Sequence, residues 1–179
     1  QSRQLSRLIE DLSMLARLEQ PEFSLRAESV DVGAHVTEIA SSFGRRADEV
    51  GVTLEIDAAS GVMSETDPDR LGQITQNLIE NALRFTPETG TVTVSVSSDD
   101  DGGAVLRVAD TGIGIAEEDL LRVFDRHFVG RRRQVRNEGS GLGLSIVEGL
   151  VNRMGGIVEA ESTVGKGTTI TVRIPGTRS

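Results

Sequence analysis

The stretch LGQITQNLIENALRFTP, residues 71–87, has the spacing of a helix, yet its polar residues are not arranged like a solvated face. Asn77, Asn81, Arg84 and Phe85 fall at i, i+4, i+7 and i+8, so all four share one side. Two amides, a cation and an aromatic ring on one stripe suit an ion, a phosphate and the edge of a flat ring. Ile74, Leu78, Ile79, Ala82 and Leu83 take the remaining surface, which predicts a helix buried around much of its circumference. Asparagine is a poor interior helix residue because its side chain competes for backbone hydrogen bonds. The pair is either two buried amides bonded to neighbouring loops or a set of ligands. The helix alone leaves both readings open.

Around this helix lie 179 residues, enough for one domain with its own core plus an appendage. With five Phe, no Trp and no Tyr, aliphatic side chains must supply that core. Twenty Gly against four Pro point to tight turns and ligand-hugging loops rather than a proline-rich linker. A net charge of −9 argues against nucleic acid as a partner, since phosphate backbones demand basic surfaces. The absence of Cys leaves no disulfide framework and no thiolate metal site, consistent with a reducing compartment. No apolar run reaches the length of a membrane span. The sequence opens inside a helical pattern, as a piece of a longer protein does.

From the start, Leu5, Leu8, Leu12 and Leu15 alternate spacings of three and four, with Ile9 and Leu18 alongside. That is a heptad-like seam, too short to stand alone and in need of a partner helix. Pro21 ends it, dividing residues 1–20 from a domain over 21–179; the alternative is a helix that lies on that domain itself. Residues 24–32 read as extended, and 32–50 as one amphipathic helix carrying Val36, Ile39, Ala40, Phe43 and Ala47; His35 on it is read as structural. Residues 52–57 alternate as a half-buried strand, with 61–64 as a short partner. Asp67-Pro68 is a helix start, a capping acid before proline at the first helical position. Strands follow at 91–97 and 104–109 about a solvated SDDDGG turn, then a helix from Gly143 to about Met154. A closing hairpin spans 156–161 and 168–174 about Gly165-Lys166-Gly167. Hairpins with interspersed helices predict an α+β fold, a two-layer sandwich of one mixed sheet with helices on one face.

Strand 105–109 runs into Asp110-Thr111-Gly112-Ile113-Gly114. A carboxylate at a strand end offers an acceptor for an exocyclic amine, beside glycine backbone that a ring can approach closely. Further on, Gly139-Ser140-Gly141-Leu142-Gly143 precedes a helix whose N-terminus favours phosphate. Neither group fits the dinucleotide fingerprint: the last required glycine or alanine falls on Glu117 in one and on Leu144 in the other. A P-loop fails too, because Gly165-Lys166 is followed by Gly167. Between the two glycine groups, residues 121–138 carry six arginines against two acids. A long basic segment in that place reads as a lid over anionic phosphates.

In order, these elements resemble the ATP-binding catalytic domain of sensor histidine kinases, in the superfamily shared with gyrase, Hsp90 and MutL. NLIENALRFTP looks like the N box, DTGIGI the first glycine box, VFDRHF the F box and GSGLGL the second glycine box. The stretch ending DLSMLARLE resembles the second helix of the dimerising bundle that precedes that domain. The resemblance implies a Bergerat-type fold holding Mg²⁺ and ATP. It implies that Asn81 binds the metal with Asn77 assisting, and that Arg84 contacts phosphate where the family has lysine. Phe85 takes the place of the usual tyrosine beside the nucleotide. Asp110 would accept the adenine amine, with Gly112, Gly114 and Ile115 under the ring. Arg131 and Arg132 would supply lid contacts, Gly139, Ser140, Gly141, Leu142, Gly143 and Leu144 would close over the phosphates, and Thr168 would sit near adenine through a water.

Two departures stand out. Phe128 is followed by Val129 where the family often has a second aromatic, and the only histidines, His35 and His127, lack the context of a phosphoacceptor. The resemblance therefore implies a protein-histidine kinase domain whose γ-phosphate acceptor lies on a dimerisation helix outside this stretch, for relay to a response-regulator aspartate. It implies a homodimeric, membrane-anchored parent with this domain in the cytoplasm, while residues 1–179 alone could be monomeric. Two other readings remain: a gyrase- or Hsp90-type ATPase, in which a glutamate would stand at Asn77, and a regulatory module that binds nucleotide without transferring phosphate.

Overall fold

The computed structural model describes residues 2–126 and 141–176. Its first half holds α1 (Ser2–Leu18), β1 (Glu28–Asp31), α2 (Val32–Ser41), α3 (Gly44–Glu49), β2 (Thr53–Ala58), β3 (Met63–Thr66) and α4 (Pro68–Phe85). Then come β4 (Thr91–Ser98), β5 (Ala104–Asp110), α5 (Glu117–Leu120), α6 (Gly143–Arg153), β6 (Ile157–Thr163) and β7 (Gly167–Ile174). Asp67 launches α4 as its position before proline predicts: one carboxylate oxygen accepts from Arg70 N at 3.1 Å and the other from Arg26 N at 2.8 Å. At the far end, the Thr86 hydroxyl donates to the Ala82 carbonyl, ending the helix before Pro87.

Five strands form one mixed sheet in the order β2-β4-β5-β7-β6, with β2 parallel to β4 and the other pairs antiparallel. The register sorts the inner face into rows. Ala58, Val96, Leu106, Val172 and Val158 make one, and Ile56, Val94, Val108, Ile170 and Ala160 the next. Onto these rows α2, α4 and α6 deliver Val36, Ile74, Leu78, Ile79, Ile146 and Leu150, all buried. The opposite face carries Thr93, Ser95, Arg107, Thr171 and Glu159, and no helix of the described residues is needed to cover it. This is the two-layer α+β arrangement expected, with the core between sheet and helices. All five apolar residues assigned to the buried side of α4 are buried, as are Leu71, Gly72 and Thr75.

Three expectations need correction. The helix foreseen over 32–50 is two helices. Ser41 and Ser42 hydroxyls donate back to Thr37 and Ile39 carbonyls, and the backbone tightens to i→i+3 bonds at Ser42 and Phe43 before α3 restarts. The short strand near 61–64 does not pair with β2. It is β3, and it joins β1 in a separate two-stranded antiparallel sheet, Glu28 opposite Thr66. Asp31 makes that pairing possible by accepting from Ala34 N at the start of α2 and from Gly61 N across the turn. Finally, one turn of helix, α5, was not foreseen.

The heptad-like helix divides in two. Met14, Leu15 and Leu18 are buried against the domain, whereas Leu5, Ile9 and Leu12 are 60%, 56% and 45% exposed. Arg153 at the end of α6 donates to the Leu18 carbonyl, the last of α1, and to the Gln20 carbonyl just beyond it. Among the described residues no helix is long and apolar enough to cross a membrane.

Candidate functional site

The third row of the inner face begins like the others, with Leu54 and Val92, and then turns polar at Asp110, Thr168 and Ser162. The three side chains stand side by side on adjacent strands at the edge of the core. Asp110 Oδ1 accepts from Gly112 N at 2.8 Å and from Thr168 N at 3.2 Å. Among the described residues nothing donates to Oδ2. Burial raises the Asp110 carboxyl above its ordinary value, and the two backbone bonds offset only part of that. A half-buried carboxylate fixed by one oxygen is ready to accept a donor at the other.

The loop beyond it leaves no space for side chains at its glycines. A Cβ at Gly112 would lie 2.4 Å from the Phe85 carbonyl oxygen, and one at Gly114 would lie 2.1 Å from that of Thr163. Gly114 also has φ +69°. The loop is tied down on both sides: Ile113 N donates to the Phe85 carbonyl at 3.2 Å, and Ile115 N to Ser162 Oγ at 2.8 Å. Backbone from residues 112–115 thus lies against the end of α4 and the β6–β7 hairpin.

On α4, Asn77, Asn81, Arg84 and Phe85 are all half-buried. The Arg84 guanidinium stands over the Phe85 ring at 5.1 Å from its centre. Two donors on this stripe, Asn77 Nδ2 and Arg84 Nε, are buried without an acceptor among the described residues. Burial also lowers the Arg84 pKa from its ordinary value. An unmet donor and a desolvated cation on one helix face fit an anionic ligand.

The second glycine group meets the same face. Leu142 is fully buried and anchors the start of α6 in the core, and Gly141 takes φ +70° just before it. The first helical residue, Gly143, is against Asn77: a Cβ there would sit 3.8 Å from Asn77 Oδ1. Among the described residues no side-chain cap bonds the start of α6, and a helix N-terminus of this kind suits an anionic acceptor. Leu144 is half-buried beside them.

The structure therefore brings Asn77, Asn81, Arg84, Phe85, Asp110, Gly112, Gly114, Ile115, Gly141, Leu142, Gly143, Leu144 and Thr168 into the adjoining ends of α4, β5, β7 and α6. Arg131, Arg132, Gly139 and Ser140 lie outside the described residues, as does His127. Two arginines of the basic segment are described, and both face acids: Arg122 pairs with Asp125 at 3.2 Å, and Arg126 with Glu19 just after α1. His35 is held by the Pro68 carbonyl, 2.9 Å from Nε2. Sequence reasoning missed Ser162, and it missed that the Phe85 carbonyl, besides its ring, organises the loop. Ser162 was within reach, because a hairpin about Gly165-Lys166 sets it opposite Thr168.

As to donor types, Asn77 and Asn81 offer neutral amide oxygens, suited to a hard cation such as Mg²⁺. Among the described residues no group of three or more acids or histidines is placed to hold a metal ion. A metal here fits only if it arrives with anionic oxygens of its own, as on a triphosphate.

Residues 66–178 match the family model of histidine kinase-, DNA gyrase B- and HSP90-like ATPases. The sensor protein SrrB of Staphylococcus aureus is 31% identical over 176 residues, which is 98% of this chain and 30% of that protein. The chain thus spans under a third of the curated relatives it matches. Full-length ShkA, solved in complex with AMPPNP, superposes with a TM-score of 0.82 at 32% identity, over 96% of this chain and 35% of that one. A mycobacterial sensor histidine kinase, MprB, gives 0.74 at 29%, over 83% of this chain and 98% of that one.

Proposed function

This chain belongs to the histidine kinase-, DNA gyrase B- and HSP90-like ATPase family, with the Bergerat-type fold of histidine kinase catalytic domains, and from that premise we propose that it binds Mg²⁺·ATP and phosphorylates a histidine. The acceptor histidine is on a dimerisation helix outside residues 1–179, and a response regulator receives the phosphate next. The observation that carries this reading is Asp110, with Oδ1 tied to two backbone N–H groups and Oδ2 left to accept the adenine amine.

The other roles follow from position. Gly112, Gly114 and Ile115 offer backbone that a ring can lie against. Asn81 and Asn77 present amide oxygens to the cation, which when bound neutralises phosphate charge. Arg84 and the N-terminus of α6 take phosphate oxygens, and Phe85 flanks the arginine. The basic segment with Arg131 and Arg132, together with Gly139 and Ser140, covers the phosphates. Phosphoryl transfer needs chiefly positioning and charge neutralisation, and a neutral imidazole is already a nucleophile. An amide at Asn77 cannot take a proton from water, which disfavours hydrolysis. The parent chain is then a membrane-anchored homodimer with this domain on the cytoplasmic side.

Incubating residues 1–179 with γ-labelled ATP, Mg²⁺ and the histidine-bearing helical hairpin of the parent tests this. Expected are Mg²⁺-dependent ATP binding, label on the hairpin, very slow hydrolysis in its absence, and loss of transfer in Asn81→Ala. ATP binding without any label transfer would instead support a regulatory nucleotide module. Brisk turnover abolished by Asn77→Ala would support a gyrase-type ATPase.

A further inference from the structure

The Ser162 hydroxyl has one proton and two lone pairs to share. It donates to the Gly167 carbonyl at 2.9 Å and accepts from Ile115 N at 2.8 Å. Its third neighbour is the Thr168 hydroxyl, also at 2.8 Å. With the single proton committed to Gly167, Ser162 can only accept from Thr168. Thr168 must then direct its own proton toward Ser162, and its remaining capacity is lone pairs alone. Thr168 is buried, stands opposite Asp110 on the neighbouring strand, and donates its backbone N–H to Asp110 Oδ1, so the base site has the hydroxyl and the carboxylate on adjacent strands.

We propose that Ser162 is a specificity-setting positioning residue, which fixes the Thr168 hydroxyl as an acceptor and so makes the base pocket hostile to purines bearing a carbonyl in place of the exocyclic amine. This rests on the reading of the Asp110 site as the adenine site. Two acceptors side by side favour a ligand edge that donates, and they repel one that presents oxygen. The same serine hydroxyl holds the loop under the ring, through Ile115, to the hairpin that carries Thr168. One side chain thus sets both the height of the pocket floor and the polarity of its wall.

The test is a pair of equilibrium titrations with ATP and ITP, which differ by amine against carbonyl and share ribose and triphosphate. The unaltered chain should prefer ATP. Ser162→Ala frees the Thr168 hydroxyl to rotate and donate, and the ATP-to-ITP affinity ratio should fall by about tenfold, the scale of one hydrogen bond. Ser162→Thr, which keeps the hydroxyl, should restore most of it. In a Thr168→Val background, Ser162→Ala should leave the ratio where Thr168→Val sets it. A Ser162→Ala protein that loses both nucleotides equally, with the ratio intact, would reduce Ser162 to a structural clamp and overturn the proposal. If that variant does not fold, Ser162→Cys, close in size and far weaker in hydrogen bonding, carries the same comparison, and an unchanged ratio is again fatal. An unaltered chain with no preference for ATP over ITP would overturn the adenine reading as well, whereas a preference indifferent to Ser162 overturns only this step.

Discussion

Asp110 illustrates how a single residue can be a cost to the fold and a requirement of the site. Its carboxyl pKa is raised by burial, so the native chain holds that proton more tightly than the unfolded chain does. Stability from this group is therefore fully present below the unfolded value and declines as pH climbs through the raised native one. The site works in the opposite sense, because only the ionised oxygen accepts an amine without carrying a proton toward it. Asp110→Asn keeps an oxygen for the Gly112 and Thr168 N–H groups while replacing Oδ2 by a donor. Thermal melts at neutral pH should show it as stable as the parent or more so, and flatter across the weakly acidic range. ATP affinity in the same protein should fall by tenfold or more and lose its preference over GTP, read by calorimetric titration. In the unaltered chain ATP binding should weaken on acidification through the raised value. An Asp110→Asn protein that bound ATP normally would remove the adenine role altogether.

Elements that depend on neighbours in sequence were legible in it, and those that depend on register or on distant pairing were not. Asp67-Pro68 capping α4 and the buried side of that helix follow from spacing alone. The break between α2 and α3 was hidden because apolar spacing runs straight through it, from Ile39 and Ala40 to Phe43 and Ala47; two serines that bond back to the helix decide the matter. The pairing of β1 with β3 joins Glu28 to Thr66, and nothing local announces it. Glycines show the same divide. Gly114 and Gly165 have nearly the same left-handed backbone, φ +69° and +78°, but a Cβ at Gly114 meets the Thr163 carbonyl at 2.1 Å and one at Gly165 meets nothing. Gly165→Ala should cost about 1 kcal/mol in urea unfolding, the conformational penalty alone. Gly114→Ala should cost about 2 kcal/mol more, since rigid backbone has to move. Equal losses would mean that the first glycine loop is not clamped between α4 and the closing hairpin.

In the molecule as a whole, α1 divides between the domain and solvent. Its sequence reads as half of a bundle, and in its first half Leu5, Ile9 and Leu12 are exposed. Its last turns belong to the domain: Leu18 fits over Gly149, where a Cβ would come within 2.9 Å of Leu18 Cδ1, and Arg153 takes the helix's final carbonyl while stacking 5.6 Å from the Phe23 ring. The seat is not sealed. A cavity of about 450 Å³ lies between α1 and α6, bordered by Leu15, Leu18, Glu19, Arg126 and Arg153. A helix anchored at one end by side chains from α6, the helix whose other end faces Asn77, is mechanically continuous with the proposed phosphate site. Leu18→Ala should lower the unfolding free energy of residues 1–179 by about 2 kcal/mol or more, as a buried leucine does. Leu5→Ala, on the solvent-facing half of the same helix, should change it by less than about 0.5 kcal/mol. Urea midpoints at low protein concentration separate the two. If Leu5→Ala proved as costly as Leu18→Ala, and its cost grew with protein concentration, the first half of α1 would be buried by a second chain. If neither mattered, the helix would be undocked in solution and the link from α1 through α6 to Asn77 would be lost.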